Sequence, residues 1–333
     1  MKTLTVYTPT YNRVHTIVRT YESLCRQSMD DFDWLIIDDG STDGTREWVE
    51  SLGEKNSSFG TQFDWMGRKM EGEDENHFTI QTEKFSIEYV YKPNGGLYTG
   101  YNTAYATIQT ELCVCIDSDD YMPDDAVEKI VCRWRKVNQY DQKKCCGIIG
   151  LDFNVKDGKP IGGYFPEDIH ELFFHEMRLK NIHRGDTKIV LKTSLMKDFS
   201  PMEGFEGEKN FNPVYMLMQV CDRYPLLVIN DNLCWVEYQV DGDSMSQAIY
   251  HQYVNSPKSF AKLRLLEMSL LHNTMRDRFR SCVHYVSSCL MCGDVNWLRR
   301  SNRKFMTIVA APLGFLWYCF VLYKNAKYRK AKK

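Results

Sequence analysis

No Asp or Glu follows Asp294 in this 333-residue chain, whereas ten Lys and Arg residues do. Residues 295–333 therefore carry +10 and the rest of the chain −12, although the formal net charge is only −2. That distribution excludes a uniformly basic nucleic-acid binder, and an acidic body with a basic tail requires a local cause. No apolar signal-peptide core stands at the N-terminus, which leads us to expect a cytosolic chain with reduced thiols. The twelve Cys are scattered. Cys289-x-x-Cys292 has no second pair at metal spacing, even with His284 near, so helix-core cysteines are the expectation. His170, His175 and His183 do not form His-Glu-x-x-His, which removes a zinc protease. Neither a Walker-type Gly-x4-Gly-Lys-Ser/Thr loop nor a Gly-x-Gly-x-x-Gly after the first strand is present. P-loop NTPase chemistry and a dinucleotide fingerprint are thereby excluded. No internal repeat is apparent.

What is present is an ordinary globular composition, with 43% hydrophobic and 26% charged residues, enough to bury a core. The first 125 residues alternate strand and helix. Thr3–Tyr7, Trp34–Ile37, Phe85–Tyr91 and Leu112–Ile116 read as strands, and Val14–Ser28 has helical spacing at Ile17, Tyr21, Leu24 and Cys25. A helix led by Pro123 runs through Trp134, and the polar stretch 53–84 reads as an insertion. This rhythm predicts an α/β fold, a mostly parallel sheet flanked by helices. Further on, Cys146–Asn154, Lys188–Leu191, Leu226–Ile229 and Leu233–Tyr238 look like strands. Ile169–Lys180, Pro213–Arg223, His251–Asn273 and Asp277–Leu290 look helical.

Four polar clusters, Thr8–Arg13, Asp38–Asp43, Pro93–Asn102 and Asp117–Asp120, each follow the carboxyl end of a strand, where open α/β sheets bind ligands. Asp117-x-Asp119 suits a hard divalent cation such as Mg²⁺ or Mn²⁺ with positions left open for a diphosphate. Alone, the pair also suits a solvated turn. Asp38-Asp39-Gly40-Ser41 on a neighbouring strand end adds acceptors for a base N–H and a ribose, and can cap a helix as well. The residues alone point to a metal-assisted nucleotide-diphosphate site.

With Thr8-Pro9-Thr10-Tyr11-Asn12-Arg13, Asp38-Asp39-Gly40-Ser41-Thr42-Asp43, Asn94-Gly95-Gly96 with Asn102, and Asp117-Ser118-Asp119-Asp120 in that order, the chain resembles the family 2 glycosyltransferases. These are inverting enzymes of GT-A-type, Rossmann-like fold with nucleotide-sugar donors. Gly185-Asp186, Gly207-Glu208-Lys209 and Glu237-Tyr238 with Asp241-Gly242 and Ser244 are similar to a bacterial subgroup active in surface-polysaccharide assembly. The resemblance implies that Pro9 and Tyr11 line the base pocket, with Arg13 also on the donor side. Asp39 would accept from the base beside Asp38. Asp117 and Ser118 would contact the ribose or the metal's water shell, and Asp119 the metal (Mn²⁺ or Mg²⁺). Asn94, Gly95, Gly96 and Asn102 would border the sugar diphosphate. A base is expected in the second half, and Gly207-Glu208-Lys209 departs from the family's Gly-Glu-Asp; Glu208 is the expected base, with Glu206 in reserve.

The expected organisation is a nucleotide-sugar half (1–125), an acceptor half (126–245), a helical extension (246–298) and a basic, apolar tail (299–333). Phe305–Tyr323 has no charge and nearly the length of a membrane span, but Pro312 and Gly314 interrupt it and basic clusters lie on both sides. A peripheral or re-entrant segment at the cytoplasmic face of the membrane is expected, with a glycan or lipid-linked glycan as acceptor and no nucleic acid. The competing readings are a sugar nucleotidyltransferase, which would need a Gly-rich triphosphate loop where Thr8–Arg13 stands, and a non-catalytic membrane-bound scaffold.

Overall fold

The computed structural model describes residues 2–56, 60–137, 139–199, 202–237 and 249–331. The chain forms two compact units, Met1–Met202 with Arg223–Tyr238, and Glu203–Asp222 with Gln239–Lys333.

The first unit opens with β1 (Leu4–Thr10), α1 (Val14–Cys25), β2 (Phe32–Asp38) and α2 (Thr45–Glu50). The expected insertion holds β3 (Lys55–Asn56), a hairpin of β4 (Gly60–Phe63) and β5 (Lys69–Asp74), and β6 (His77–Gln81). Then come β7 (Ser86–Tyr91), α3 (Leu97–Thr107), β8 (Leu112–Cys115), α4 (Ala126–Arg135) and α5 (Gln139–Lys144). β9 (Gly147–Asn154), β10 (Lys159–Pro160), β11 (Glu171–Leu172), α6 (Phe174–Leu179), β12 (Thr187–Lys192) and α7 (Thr193–Lys197) follow. After α8 (Val214–Cys221), which belongs to the second unit, β13 (Leu226–Val236) returns to the sheet.

The sheet order is β11-β13-β9-β12-β8-β1-β2-β7-β6-β3, with β10 on β9. Strands β8, β1, β2 and β7 are parallel, as the alternation predicts. Beyond β8 the sheet is mixed, because β12 runs antiparallel between β8 and β9. All seven residues of β1 are buried, the pattern of a strand covered on both faces. Trp34 is fully buried, and its indole N–H is satisfied by Thr8 Oγ1 at 3.0 Å. The parallel register sets Thr10 beside Asp38 and Asp38 beside Tyr91. The loops after β1, β2, β7 and β8 therefore leave from one edge.

Two expectations change. The helix expected over 169–180 is β11 plus the short α6, since β11 pairs with β13. Leu226–Ile229 and Leu233–Tyr238 are one strand, β13, with register shifts between Val228 and Cys234; Tyr238 lies outside the described residues.

The second unit contains α8, α9 (Ile249–Asn255), α10 (Pro257–Ser269), α11 (Met275–Met291), α12 (Trp297–Arg300) and α13 (Lys304–Ala331). The single helix expected over 251–273 is split into α9 and α10. Pro257 has no N–H to continue a helix and disfavours helical backbone at Ser256, which sits at φ −135°. Residues 203–222, expected with the sheet, group with these helices. The Asp222 carboxylate at the end of α8 accepts from the backbone N–H of Leu271 and His272 at 2.7 and 3.2 Å. Ala261, Met268, Cys282, Tyr285, Cys289 and Ala310 form the core, so Cys289 is a helix-core thiol, pushed up to about 12 by burial. α13 continues through Pro312 instead of breaking there. Gly314 serves packing: a Cβ on it would lie 2.6 Å from Val286 Cβ.

Candidate active site

The β1 and β2 loops are tied to each other. Asn12, in left-handed backbone at φ 52°, accepts from Thr42 N–H at 2.8 Å and donates its own N–H to Ser41 Oγ at 2.9 Å. That lock leaves Tyr11 half exposed and Arg13 exposed at the strand edge, both open to a ligand. Pro9 is different. It is buried beneath α3, where a Cβ on Gly100 would stand 3.1 Å from Pro9 Cβ, so it supports the pocket floor instead of lining the pocket.

The two carboxylates at the end of β2 also face inward. Asp38 accepts from Ser41 N–H and the Tyr89 hydroxyl, each at 2.7 Å, and burial raises its carboxyl above the usual range despite those bonds. Asp39, only 5% exposed, accepts from Gly95 N–H at 2.9 Å, Gly96 N–H at 2.8 Å, Asn94 Nδ2 at 3.2 Å and the buried Lys92 ammonium. With Thr99 Oγ1 at 3.5 Å as a fifth, longer donor, these groups fill the lone-pair capacity of a carboxylate. Asp39 thus moulds the 94–96 turn, whose Gly95 is compelled by the Trp65 carbonyl 1.8 Å from where a Cβ would be. Burial lowers the Lys92 ammonium, with Asp39 opposing.

Asn102 is fully buried and does not border a ligand. Its amide donates to Met66 O at 2.9 Å and Met202 O at 3.1 Å and accepts from Met202 N–H at 2.6 Å, bracing α3 against two loops. Each of its polar groups is satisfied within the fold, which corrects the expected donor contact.

The turn after β8 carries the charge. Asp117 reaches solvent, Asp119 is half-buried, and Ser118 and Asp120 are buried. The Lys188 ammonium on β12 lies 4.0 Å from Asp120 Oδ2 and 3.8 Å from Asp152 Oδ1. Burial raises Asp120 to about 7 and Asp152 to about 6, with Lys188 opposing both. Desolvation by the packed chain also raises Asp117, Asp119 adding to the effect. Asp117, Asp120 and Asp152 therefore crowd around one ammonium with Asp119 beside them, and buried Asp152 Oδ1 has no hydrogen-bond partner among the described residues. A surplus of hard oxygen donors over one ammonium is an arrangement that suits a divalent cation.

Arg19 had no marker in the sequence, yet it organises this turn. Its guanidinium donates to the backbone oxygen of Asp119, pairs with Glu237 at 2.7 Å and lies 4.8 Å over the Tyr121 ring. Those contacts hold the Glu237 carboxyl below its usual range. Lys188 was signalled only as a charge inside a strand. Asp241-Gly242-Asp243-Ser244 lies outside the described residues.

Glu208 belongs to the second unit and is 7% exposed. Its carboxylate accepts from Lys258 N–H at 3.0 Å, Ser259 N–H at 2.8 Å and Ser259 Oγ at 2.7 Å. Those are free N–H groups of the first turn of α10, so Glu208 caps that helix. This corrects its expected role as an open base. Glu206 is exposed.

The family model described as Glycosyl transferase family 2 matches residues 5–61 and 75–142, and the unmatched gap contains most of the β4–β5 hairpin. The chain is 28% identical over 125 residues to a chondroitin synthase of Pasteurella multocida (strain Pm70), covering 38% of this chain and 10% of that protein. A hyaluronan synthase of Pasteurella multocida matches to the same extent, and a chondroitin synthase of Escherichia coli is 28% identical over 133 residues. The chain spans a tenth of the length of the Pasteurella relatives. Among solved structures, S. aureus TarS 1-349 in complex with UDP-GlcNAc superposes with a TM-score of 0.54 at 16% identity, covering 99% of this chain and 92% of that one. At that identity the likeness is one of fold, of GT-A type.

Proposed function

We propose that the chain, whose residues 5–61 and 75–142 match the model of glycosyl transferase family 2, carries out inverting transfer of a sugar from a nucleoside diphosphate, a UDP-hexose or UDP-N-acetylhexosamine, to a glycan acceptor. The observation that carries it is the strand edge on which Tyr11, Arg13 and the crowded Asp117–Asp120 turn are the groups left open. Tyr11 stacks on the base. A base N–H bonds to Asp39 by displacing one of its two longest donors, Thr99 Oγ1 at 3.5 Å or Asn94 Nδ2 at 3.2 Å. Asp117 and Asp119 would hold Mn²⁺ or Mg²⁺, which would supply Lewis-acid neutralisation of the leaving diphosphate. A carboxylate must take the proton of the attacking hydroxyl. Of the two expected, only Glu206 is exposed, and we place the base there. The named synthases support a polysaccharide as acceptor, and the charge of the basic, apolar tail 299–333 supports work at a membrane, where that tail faces the anionic cytoplasmic leaflet.

The test is donor binding. UDP-sugars are expected to raise the melting temperature in the presence of Mn²⁺, and Asp119→Ala is expected to abolish that metal-dependent shift. A shift unchanged in the variant removes Asp119 from the site, and no shift with any nucleotide sugar removes the donor assignment.

A further inference from the structure

We infer that α13 lies in the plane of an anionic lipid surface, docked by its outward stripe, and does not cross the bilayer; this rests on the membrane reading above. The helix has two unlike sides. Thr307, Ala310, Gly314, Val321 and Asn325 are buried within the second unit. On the other side Phe305, Ile308, Val309, Leu313, Leu316 and Tyr323 are 49–82% exposed. At 100° per residue these positions fall on one side of the helix and make one stripe, about 27 Å long at the helical rise. No charge interrupts it from Phe305 to Tyr323. An uninterrupted apolar stripe of that size marks a binding face.

The inner side is what prevents crossing. It is bonded near both ends: Thr307 Oγ1 with Ser301 Oγ at 2.7 Å, and Asn325 Oδ1 with His251 Nδ1 at 3.1 Å. In the middle Trp317 meets the ring of His284 edge-on, with centroids 4.9 Å apart. The helices sharing this core, α10 and α11, carry Lys262, Arg264, Glu267, Arg276, Asp277 and Arg280. A crossing α13 would draw those ionised groups into hydrocarbon or lose its own packed side, and both are strongly unfavourable. In-plane docking keeps the core intact and wets only the outer stripe with lipid.

Charge names the occupant. Arg303 and Lys304 precede the stripe, and Lys327, Arg329 and Lys330 follow it, all exposed and with no acidic residue among them. Cations at both ends suit one leaflet of anionic headgroups, whereas a single span would place one cluster on each side.

The experiment uses the full chain with phosphatidylcholine vesicles, with and without phosphatidylglycerol. The protein is expected to float with the anionic vesicles and to be released by 0.5 M salt. The double variant Ile308→Glu, Leu316→Glu, which leaves the inner side untouched, is expected to lose flotation while keeping its melting temperature. Spin labels placed singly at 309, 316 and 323 are expected to report similar shallow depths. Flotation with label 316 at the bilayer centre and labels 309 and 323 nearer opposite surfaces overturns in-plane docking but keeps the membrane reading. Absence of flotation overturns both, and a vesicle-independent dimer abolished by the double variant would assign the stripe to a second copy instead.

Discussion

Asn102 and Glu208 each look like ligand-facing residues until their partners are known. Their polar atoms are engaged by groups 36 to 100 positions away, as with Met66 and Met202 on Asn102 and Ser259 on Glu208. A capping carboxylate and a catalytic one are told apart by what each loss affects. Glu208→Gln removes the charge facing the α10 N-terminus and is expected to cost about 1–2 kcal/mol in urea unfolding, with donor binding retained. Glu206→Gln is expected to leave stability unchanged and to lower transfer about 100-fold or more, since a positioned base contributes at least that much. The opposite pattern, transfer lost in Glu208→Gln at full stability, would restore Glu208 as the base.

At the scale of elements, the strand-end loops act as a set because they are tied to one another. Asp39 on the β2 loop shapes the loop after β7, Asn12 ties β1 to β2, and Arg19 on α1 fixes the turn after β8 to the end of β13. Arg19 touches the backbone of Asp119, so in the proposed site it would position a metal ligand without being one. Arg19→Met is expected to weaken Mn²⁺ affinity about tenfold, the size typical of losing a group that orients a ligand. Calorimetric titration with Mn²⁺ measures this, and Arg19→Lys is expected to recover it only in part, because an ammonium cannot bridge a carbonyl and a carboxylate as a planar fork does. An unchanged Mn²⁺ titration with a lowered melting temperature would make Arg19 merely structural. The parallel strands were legible because their apolar runs end abruptly in polar clusters. The break at Ser256-Pro257 was also written in the sequence, while the merging of two segments into β13 was not, since it depends on pairing with β9.

At the scale of the whole molecule, the helical unit contains its own titrating group. His284 is pushed down to about 4, by burial first and by Arg264 second. The unfolded chain, near 6.5, therefore binds the proton more readily. Stability is full above pH 6.5 and falls as pH drops towards 4, by roughly 2–3 kcal/mol for this group. Denaturation followed from pH 7 to 4 is expected to show that slope, and His284→Phe, which keeps a ring against Trp317, is expected to flatten it. An identical slope in the variant would assign the acid sensitivity elsewhere.

The division of charge at Asp294, the four polar clusters in order and the uncharged run before the last lysines are properties of the sequence by itself. They determined the α/β class, the edge that carries the site and the presence of an apolar tail, because strand ends and charge runs are local. Tertiary structure decided which carboxylates remain open and which face of the tail is left bare. Both depend on distant partners: a carboxylate is available only if no donor from another element reaches it, and an apolar helix is exposed only where no neighbour covers it.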